Sequence, residues 1–370
     1  MANISPSDIA AQDWDVIVVG TGMGGATLGY TLAKNGKRVL FCEKGRSHLG
    51  VTSSLLGGYA ESFFYHSAAP QPQHQDILAR AGRYVEQIDD RSEYRSRKFI
   101  PFIGSGTGGS SALYGMALER FFPSDFIPRR NYPDALATTL PEEWPITYET
   151  LAPYYAAAEQ LYRVRGTLDP LRDESTASPF LHPPPLTLGS QELFDFFKGR
   201  GLHPYRLPLA CEYVADCECC QGYLCARDCK NDSAQICLRP AISHYGARLL
   251  DGCNVLKLEA SRNKVTGLIC SWQGTQIKLR AQTVVLGAGA LETPGILLRS
   301  SSNLWPQGLA NDSGMVGRNL MRHNIDLYLI TLKSLKRSQL MDNRQKQLGF
   351  NDLYHIDGKK LGSVQSFGRL

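Results

Sequence analysis

No stretch of this 370-residue sequence approaches the roughly 18 apolar residues that a membrane-spanning helix requires. The opening residues, MANISPSDIAAQDWD, have neither a basic start nor an apolar core of signal-peptide length. The expectation is therefore a chain with no membrane span and a cytoplasmic address. Charge of one sign is also scarce. The formal net charge is +5, and the two denser basic stretches, residues 91–98 and 333–346, are interrupted by Glu, Tyr, Leu and Asp. They read as solvated faces, so no nucleic-acid surface is expected. No internal repeat is present. A composition of 43% hydrophobic and 20% charged residues excludes extended disorder. What remains is a chain long enough to bury a large core and to hold two interleaved domains.

Residues 15–20 (DVIVVG) form a short β-branched run, as a buried strand should. A Gly-rich turn follows, then a helix over 26–35 ending near Gly36, then a second strand over 37–43. Such a β-α-β unit with short connections implies a parallel pair and a right-handed crossover. Residues 55–90 are less regular, and 99–115 form a second Gly/Ser-rich loop. Residues 121–210 are rich in Pro and aromatic residues, with a helical piece at 150–162 and a loop at Pro183, Pro184 and Pro185. Four successive strands are expected between 254 and 286, and further strands without evident partners between 327 and 370.

The first turn reads Gly20-Thr21-Gly22-Met23-Gly24-Gly25, which contains G-x-G-x-x-G at Gly20, Gly22 and Gly25. The first glycine permits a tight turn, the second lets the backbone approach a pyrophosphate, and the third allows helix and strand to pack closely. The helix that follows offers unpaired N–H groups and a positive dipole end to phosphates. Glu43 ends the second strand, where a carboxylate can accept hydrogen bonds from adenosine ribose hydroxyls; an acid there disfavours a 2′-phosphate, hence NADP. The unit binds a dinucleotide and does not by itself separate FAD from NAD.

Two further segments make that choice. Residues 104–120 read GSGTGGSSALYGMALER and residues 287–300 read GAGALETPGILLRS. With the first turn they resemble the glucose–methanol–choline (GMC) oxidoreductases, which use FAD. The first matches that family's G-G-S-S-x-x-N-G loop through Gly108, Gly109, Ser110, Ser111 and Gly115. The second matches its G-A-x-x-[ST]-P-x-x-L-x-x-S motif through Gly289, Ala290, Thr293, Pro294, Leu297 and Ser300. A weaker match runs from Val316 to His323, and the order holds over residues 14–323. The resemblance implies an α/β (α+β) fold with a Rossmann-like FAD-binding domain over 1–120 and 240–322. It also implies an interleaved substrate domain of mixed sheet and helices over 121–210 and 323–370. Gly108, Gly109, Ser110 and Ser111 would then face the pyrophosphate and flavin, the strand near Val255 the adenine, and Gly289 the dinucleotide. Two positions depart from the family pattern: Tyr114 stands where Asn is usual beside the flavin, and Arg322 where Asp is usual. Tyr114 as a ring-stacking or hydrogen-bonding neighbour and Tyr114 as simple packing both stay open.

Seven of the ten cysteines fall between Cys211 and Cys237, the 211–239 stretch being read as an insertion. Their spacing matches no definite ligand signature. Cys217, Cys219, Cys220, Cys225 and Cys229 are the candidate ligands of an iron–sulfur cluster or zinc, with disulfides or reduced structural thiols as alternatives. Flavin–sugar dehydrogenases similar to this family carry a cysteine-bound iron–sulfur cluster in the equivalent insertion. Cys42, Cys253 and Cys270 lie in strand-like runs and read as core.

The resemblance implies hydride transfer from a carbinol C–H to flavin N5, aided by a histidine base, on a small alcohol or sugar. In the family that histidine lies in a C-terminal segment, and Leu370 stands about where that segment would begin. The eight histidines here match no such motif, so no catalytic residue is assigned. A partner chain carrying the catalytic segment is the first expectation, a truncated inactive homologue the second, and an electron-transfer or scaffold flavoprotein subunit the third.

Overall fold

The computed structural model describes residues 9, 11–51, 55–64, 72–92, 94–134, 138–172, 179–330, 344 and 346–367. His66 and much of the basic stretch 333–346 lie outside the described residues. The chain divides into two units that alternate along the sequence. Unit 1 is Met1–Tyr114, Gly222–Ala226 and Asp232–Leu327; unit 2 is Gly115–Gln221, Arg227–Asn231 and Tyr328–Leu370. The cysteine-rich stretch is thus shared between the two.

In unit 1 the strands that matter are β1 (Trp14–Val19), β2 (Val39–Cys42), β3 (Arg248–Leu250), β4 (Asn254–Ala260), β5 (Val265–Trp272), β6 (Thr275–Leu279) and β7 (Ala281–Leu286). A parallel sheet runs in the order β7-β1-β2-β3. β2 is buried at every position and β1 at all but one, as strands covered on both faces must be. The helix Met23–Lys34 crosses between β1 and β2 and buries Gly25, Ala26, Gly29 and Ala33. A side chain at Gly29 would collide with the Phe41 ring, so small residues let the helix lie close to the sheet. β4, β5 and β6 form a separate antiparallel sheet. Its inner residues join those of the parallel sheet in one core that includes Ile17, Leu40, Leu258, Leu268 and Leu279, with Cys42, Cys253 and Cys270 among them. The expected β-α-β unit and all four strands between 254 and 286 are present.

Unit 2 is built more from side-chain pairs. The helix Tyr148–Leu161 starts where the Thr147 hydroxyl accepts from Thr150 N, and it carries Glu159 into a buried two-pronged ion pair with Arg120, both bonds 2.6 Å. A small antiparallel sheet joins Tyr205–Arg206, Leu348–Phe350 and Val364–Gln365. These supply part of the strands expected after residue 327; residues 321–330 form no strand and are exposed. No helix among the described residues is long and apolar enough to cross a membrane.

Candidate functional site

Three loops of unit 1 meet at the C-terminal ends of β1 and β7. Gly20 leaves β1 with φ +91°, and a Cβ there would stand 2.6 Å from Gly287 O. Only glycine accepts both the angle and the approach. A Cβ at Gly25 would overlap the Gly20 carbonyl. Val19 O receives Gly287 N at 2.8 Å, which fastens the turn at 287–289 beside the turn at 20–25. Gly22 caps the helix that begins at Met23, with no side-chain cap and no acid in the first turn. Its opening N–H groups and positive dipole end are therefore left for an anion. Gly22, Gly24 and Gly289 all face open space, Gly289 opening the helix Gly289–Arg299.

The second loop, 104–111, reaches the same place. A Cβ on Gly109 would lie 3.1 Å from Gly22 Cα. Ser110 Oγ accepts from Gly104 N at 3.1 Å, and Ser111 Oγ donates to Gly108 O at 2.7 Å. Ser111 Oγ also lies 2.9 Å from Ser233 Oγ, which donates to Thr21 O at 3.0 Å. The Ser111 hydroxyl thus turns into the protein, where it and Ser233 tie the first loop to the second. Asp232 accepts from Ala234 N and Gln235 N and starts the chain that carries Ser233.

Glu43 sits where the sequence placed it, at the end of β2, but its carboxylate is 6% exposed and committed elsewhere. Oε2 accepts from Thr21 N (3.0 Å) and Thr21 Oγ1 (2.7 Å). Oε1 accepts from Gly45 N (3.0 Å) and Gly106 N (3.2 Å). A carboxylate offers about four acceptor sites, and all four have a protein donor. A ribose hydroxyl would have to share one already taken. Burial pushes the Glu43 carboxyl up, against these hydrogen bonds, which favour its ionised form.

Of the remaining expected contacts, Val255 is buried in β4, an edge strand of the antiparallel sheet. Leu256 O and Leu258 N on that strand are bound by Arg299 Nε (3.0 Å) and Ser300 Oγ (2.8 Å). Tyr114 is half-buried at the close of unit 1's first segment. Gly115 opens unit 2, where a Cβ would crowd Lys346 Nζ and lie 2.7 Å from Gln221 Oε1. Burial lowers the Lys346 ammonium to about 8.

In unit 2, Cys211, Cys217 and Cys229 bring their sulfurs within 4.8 Å of one another. Cys217 Sγ lies 3.2 Å from Cys229 Sγ and 3.7 Å from Cys211 Sγ. Hydrogen bonds from Cys211, Cys219 and Cys229 shift the Cys217 thiol below its usual range. Fully buried Lys230 pairs through its backbone with Cys211. The group differs from the one expected: Cys211 is in it, Cys219 hydrogen-bonds to it, and Cys220 is not among its three closest members. Cys225 belongs to unit 1. Spacing missed Cys211 because the antiparallel bridge to Lys230, not chain proximity, brings it beside Cys229.

Unit 2 also holds a cleft of about 170 Å³ lined by Glu119, Arg120, Asp169, Arg172 and Tyr205 among others. Tyr205 donates to Glu119, and Asn351 donates to Asp169 and Tyr205 at 2.8 and 2.9 Å. Burial raises the Glu119 carboxyl. Among the histidines, His48 is half-buried, His74 stacks on Phe64, His203 pairs with Asp352, and His323 is exposed.

A family profile described as FAD binding domain matches residues 15–86, and one described as GMC oxidoreductase matches residues 209–325. The chain is thus similar to GMC oxidoreductases over residues 209–325. Paromamine 6′-oxidase of Streptomyces fradiae is 28% identical over 83% of this chain and 53% of its own length. 2-Methyl-1,2-propanediol dehydrogenase of Mycolicibacterium austroafricanum is 28% identical over 97% of this chain and 64% of its own. The fructose dehydrogenase large subunit of Gluconobacter japonicus is 26% identical over 84% and 58%. The chain therefore spans about half to two-thirds of the length of these relatives. The fold is shared with pyridoxine 4-oxidase from Mesorbium loti, with a TM-score of 0.51 and 21% identity over 78% of this chain and 52% of that one.

The FAD-binding match makes FAD the cofactor, and the residues present fit it. The backbone-lined turns come together at the uncapped start of a helix, and Gly22, Gly24 and Gly289 face open space there. Sequence reasoning found these loops and missed Thr21, Gly106 and Ser233, which fasten them.

Proposed function

We propose that this chain is the FAD-binding part of an oxidoreductase that oxidises a CH–OH group of an alcohol or sugar. The observation that carries the reading is the convergence of the turns at 20–25, 104–111 and 287–289 on one cradle. FAD, when bound, supplies the hydride-accepting chemistry. The chain's own residues do the holding. Gly20, Gly22, Met23, Gly24 and Gly25 present backbone to the pyrophosphate, Gly108, Gly109 and Gly289 flank it, and Tyr114 marks the flavin side. Unit 2 is the substrate domain, and its cleft offers Glu119, Asp169 and Tyr205 as hydrogen-bonding groups suited to a polyhydroxylated substrate.

The catalytic base is supplied by further polypeptide, a partner chain or a continuation, that packs over the exposed run. Residues 320–330 support this, since Met321, Ile325, Tyr328 and Leu329 are 76%, 70%, 84% and 95% exposed, an apolar run that further chain would cover. A relative named as a large subunit points the same way. The thiols of Cys211, Cys217, Cys219 and Cys229 form a metal centre; metal and acid-labile sulfide analysis distinguishes zinc from an iron–sulfur cluster, and absence of both refutes the centre.

The test is anaerobic addition of alcohols and sugars to the FAD-loaded protein, purified with any companion that co-elutes in fixed ratio. Bleaching of the visible flavin absorbance by such a donor is the expected result. Flavin that no hydroxylated donor reduces, even with the companion present, refutes the assignment.

A further inference from the structure

Two carboxylates in the lining of the unit 2 cleft, Glu119 and Asp169, have neutral donors only. Glu119 accepts from the Tyr205 hydroxyl and the Gln365 amide. Asp169, 6% exposed, accepts from Leu171 N at 2.9 Å and from the Asn351 amide at 2.8 Å. Among the described residues neither carboxylate enters an ion pair. The two guanidinium groups of the lining are engaged otherwise. Arg120 is held by Glu159 on both prongs, and Arg172 donates to the Arg120 and Phe121 carbonyls and lies 4.0 Å over the Phe122 ring. Burial raises the Glu119 carboxyl, and the Asp169 charge adds to the rise while Arg172 opposes it. Tyr148, 5% exposed and in the same lining, leaves its hydroxyl without a hydrogen-bond partner. So does Oδ1 of buried Asn351, whose amide nitrogen bridges Asp169 and Tyr205. Buried acceptors without donors are costly, and buried carboxylates without a cation more so.

We infer that this cleft selects hydroxylated substrates that carry a protonated amine, an amino alcohol or amino sugar, with Glu119 and Asp169 as the acceptors of the ammonium. The inference rests on the reading of unit 2 as the substrate domain and deepens it by naming the substrate class. An ammonium brings both the positive charge and the N–H donors that the lining lacks. A bare metal ion suits the place less well. The cleft of about 170 Å³ is far larger than an ion fills, and Leu168, Pro170, Phe180 and Pro208 give it apolar walls for a carbon frame. Each carboxylate oxygen already accepts one neutral hydrogen bond, which leaves a lone pair for one N–H and not the close oxygen shell that calcium draws in.

The experiment is calorimetric binding of glucose, 2-amino-2-deoxyglucose and its N-acetyl derivative to the FAD-loaded protein, purified with any companion that co-elutes. The three share a ring and differ in the charge at one carbon. The amino sugar should bind at least about tenfold more tightly than the other two, as expected for charge-assisted hydrogen bonds to a buried acid. Asp169→Asn keeps the side-chain shape and removes the charge, and it should bring the three affinities to within about twofold of one another. Glu119→Gln should shrink the preference in the same direction, and it keeps the test alive if Asp169→Asn does not fold. The inference is overturned if the amino sugar binds no better than glucose, binding too weak to measure included. It is also overturned if both variants keep the full preference, or if calcium binds and displaces the amino sugar. Anaerobic bleaching of the flavin separates this from the broader assignment. An amino sugar that binds tightly without any hydroxylated donor ever bleaching the flavin leaves the cleft inference standing and refutes the oxidoreductase reading. Bleaching by alcohols or neutral sugars with no preference for the amine does the reverse.

Discussion

The FAD cradle of unit 1 and the thiol group of unit 2 are made in opposite ways. The cradle is backbone: its residues matter for what they lack, and the side chains that hold it, Glu43, Thr21 and Ser233, act from behind. The thiol group is side chain: four sulfurs brought together by loops and one backbone bridge. A backbone-made site constrains residue type at each step, because a Cβ either fits or collides. A side-chain site constrains only where atoms end up, and many loop paths achieve that. The first kind can be read from a motif. The second waits for the fold.

Substitutions should separate the two. The largest effect is expected at Gly25→Val, whose Cβ would overlap the Gly20 carbonyl. FAD retention, read as flavin absorbance per protein, should fall by about a hundredfold or more, since the turn has no room to yield. Normal retention would show that the cradle is not backbone-made. In unit 2 the corresponding test is the buried pair: Glu159→Gln should cost about 3–5 kcal/mol in denaturant unfolding, because Arg120 is left charged without its partner. A cost below about 1 kcal/mol, the range of an exposed pair, would contradict it.

Lys346 gives a smaller effect that depends on pH. Its folded value of about 8 lies below the ordinary 10.5, so the folded protein disfavours the charged form. The cost is present in full below pH 8 and disappears as pH rises toward the unfolded value, so stability should climb through that window. Lys346→Met should stabilise the protein at neutral pH by roughly 1–3 kcal/mol and flatten the climb, as read from thermal unfolding across pH. The smallest effect belongs to the second thiol group. Cys42 lies in the apolar core with Cys253 and Cys270, so Cys42→Ala should cost about 1 kcal/mol and leave the proposed metal centre unchanged. Cys217→Ser should empty the other group. If both variants lose metal alike, the distinction between core and site thiols fails.

Much of unit 1 was legible beforehand. The alternation of β-branched runs with a small-residue helix gives β1, the crossover and β2. The four strands between 254 and 286 announce themselves by their apolar faces, and the glycines mark the cradle. Three things were not legible. The direction of the Glu43 carboxylate depends on Gly106, 63 residues away in the chain. Ser233 meets Thr21 across 212 residues. Cys211 enters the thiol group through its pairing with Lys230. Each depends on a contact between distant segments, which periodicity and local motif do not encode. The two-residue strands near the end of the chain are too short to show a period at all.

The central claim is that three distant glycine-lined turns hold one FAD. Titration of the purified apoprotein with FAD, followed by flavin fluorescence and absorbance with NAD as competitor, tests it most directly. Saturation at one FAD per chain, unaffected by excess NAD and abolished in Gly25→Val, is the expected result. No uptake, or displacement by NAD at comparable concentration, would contradict it.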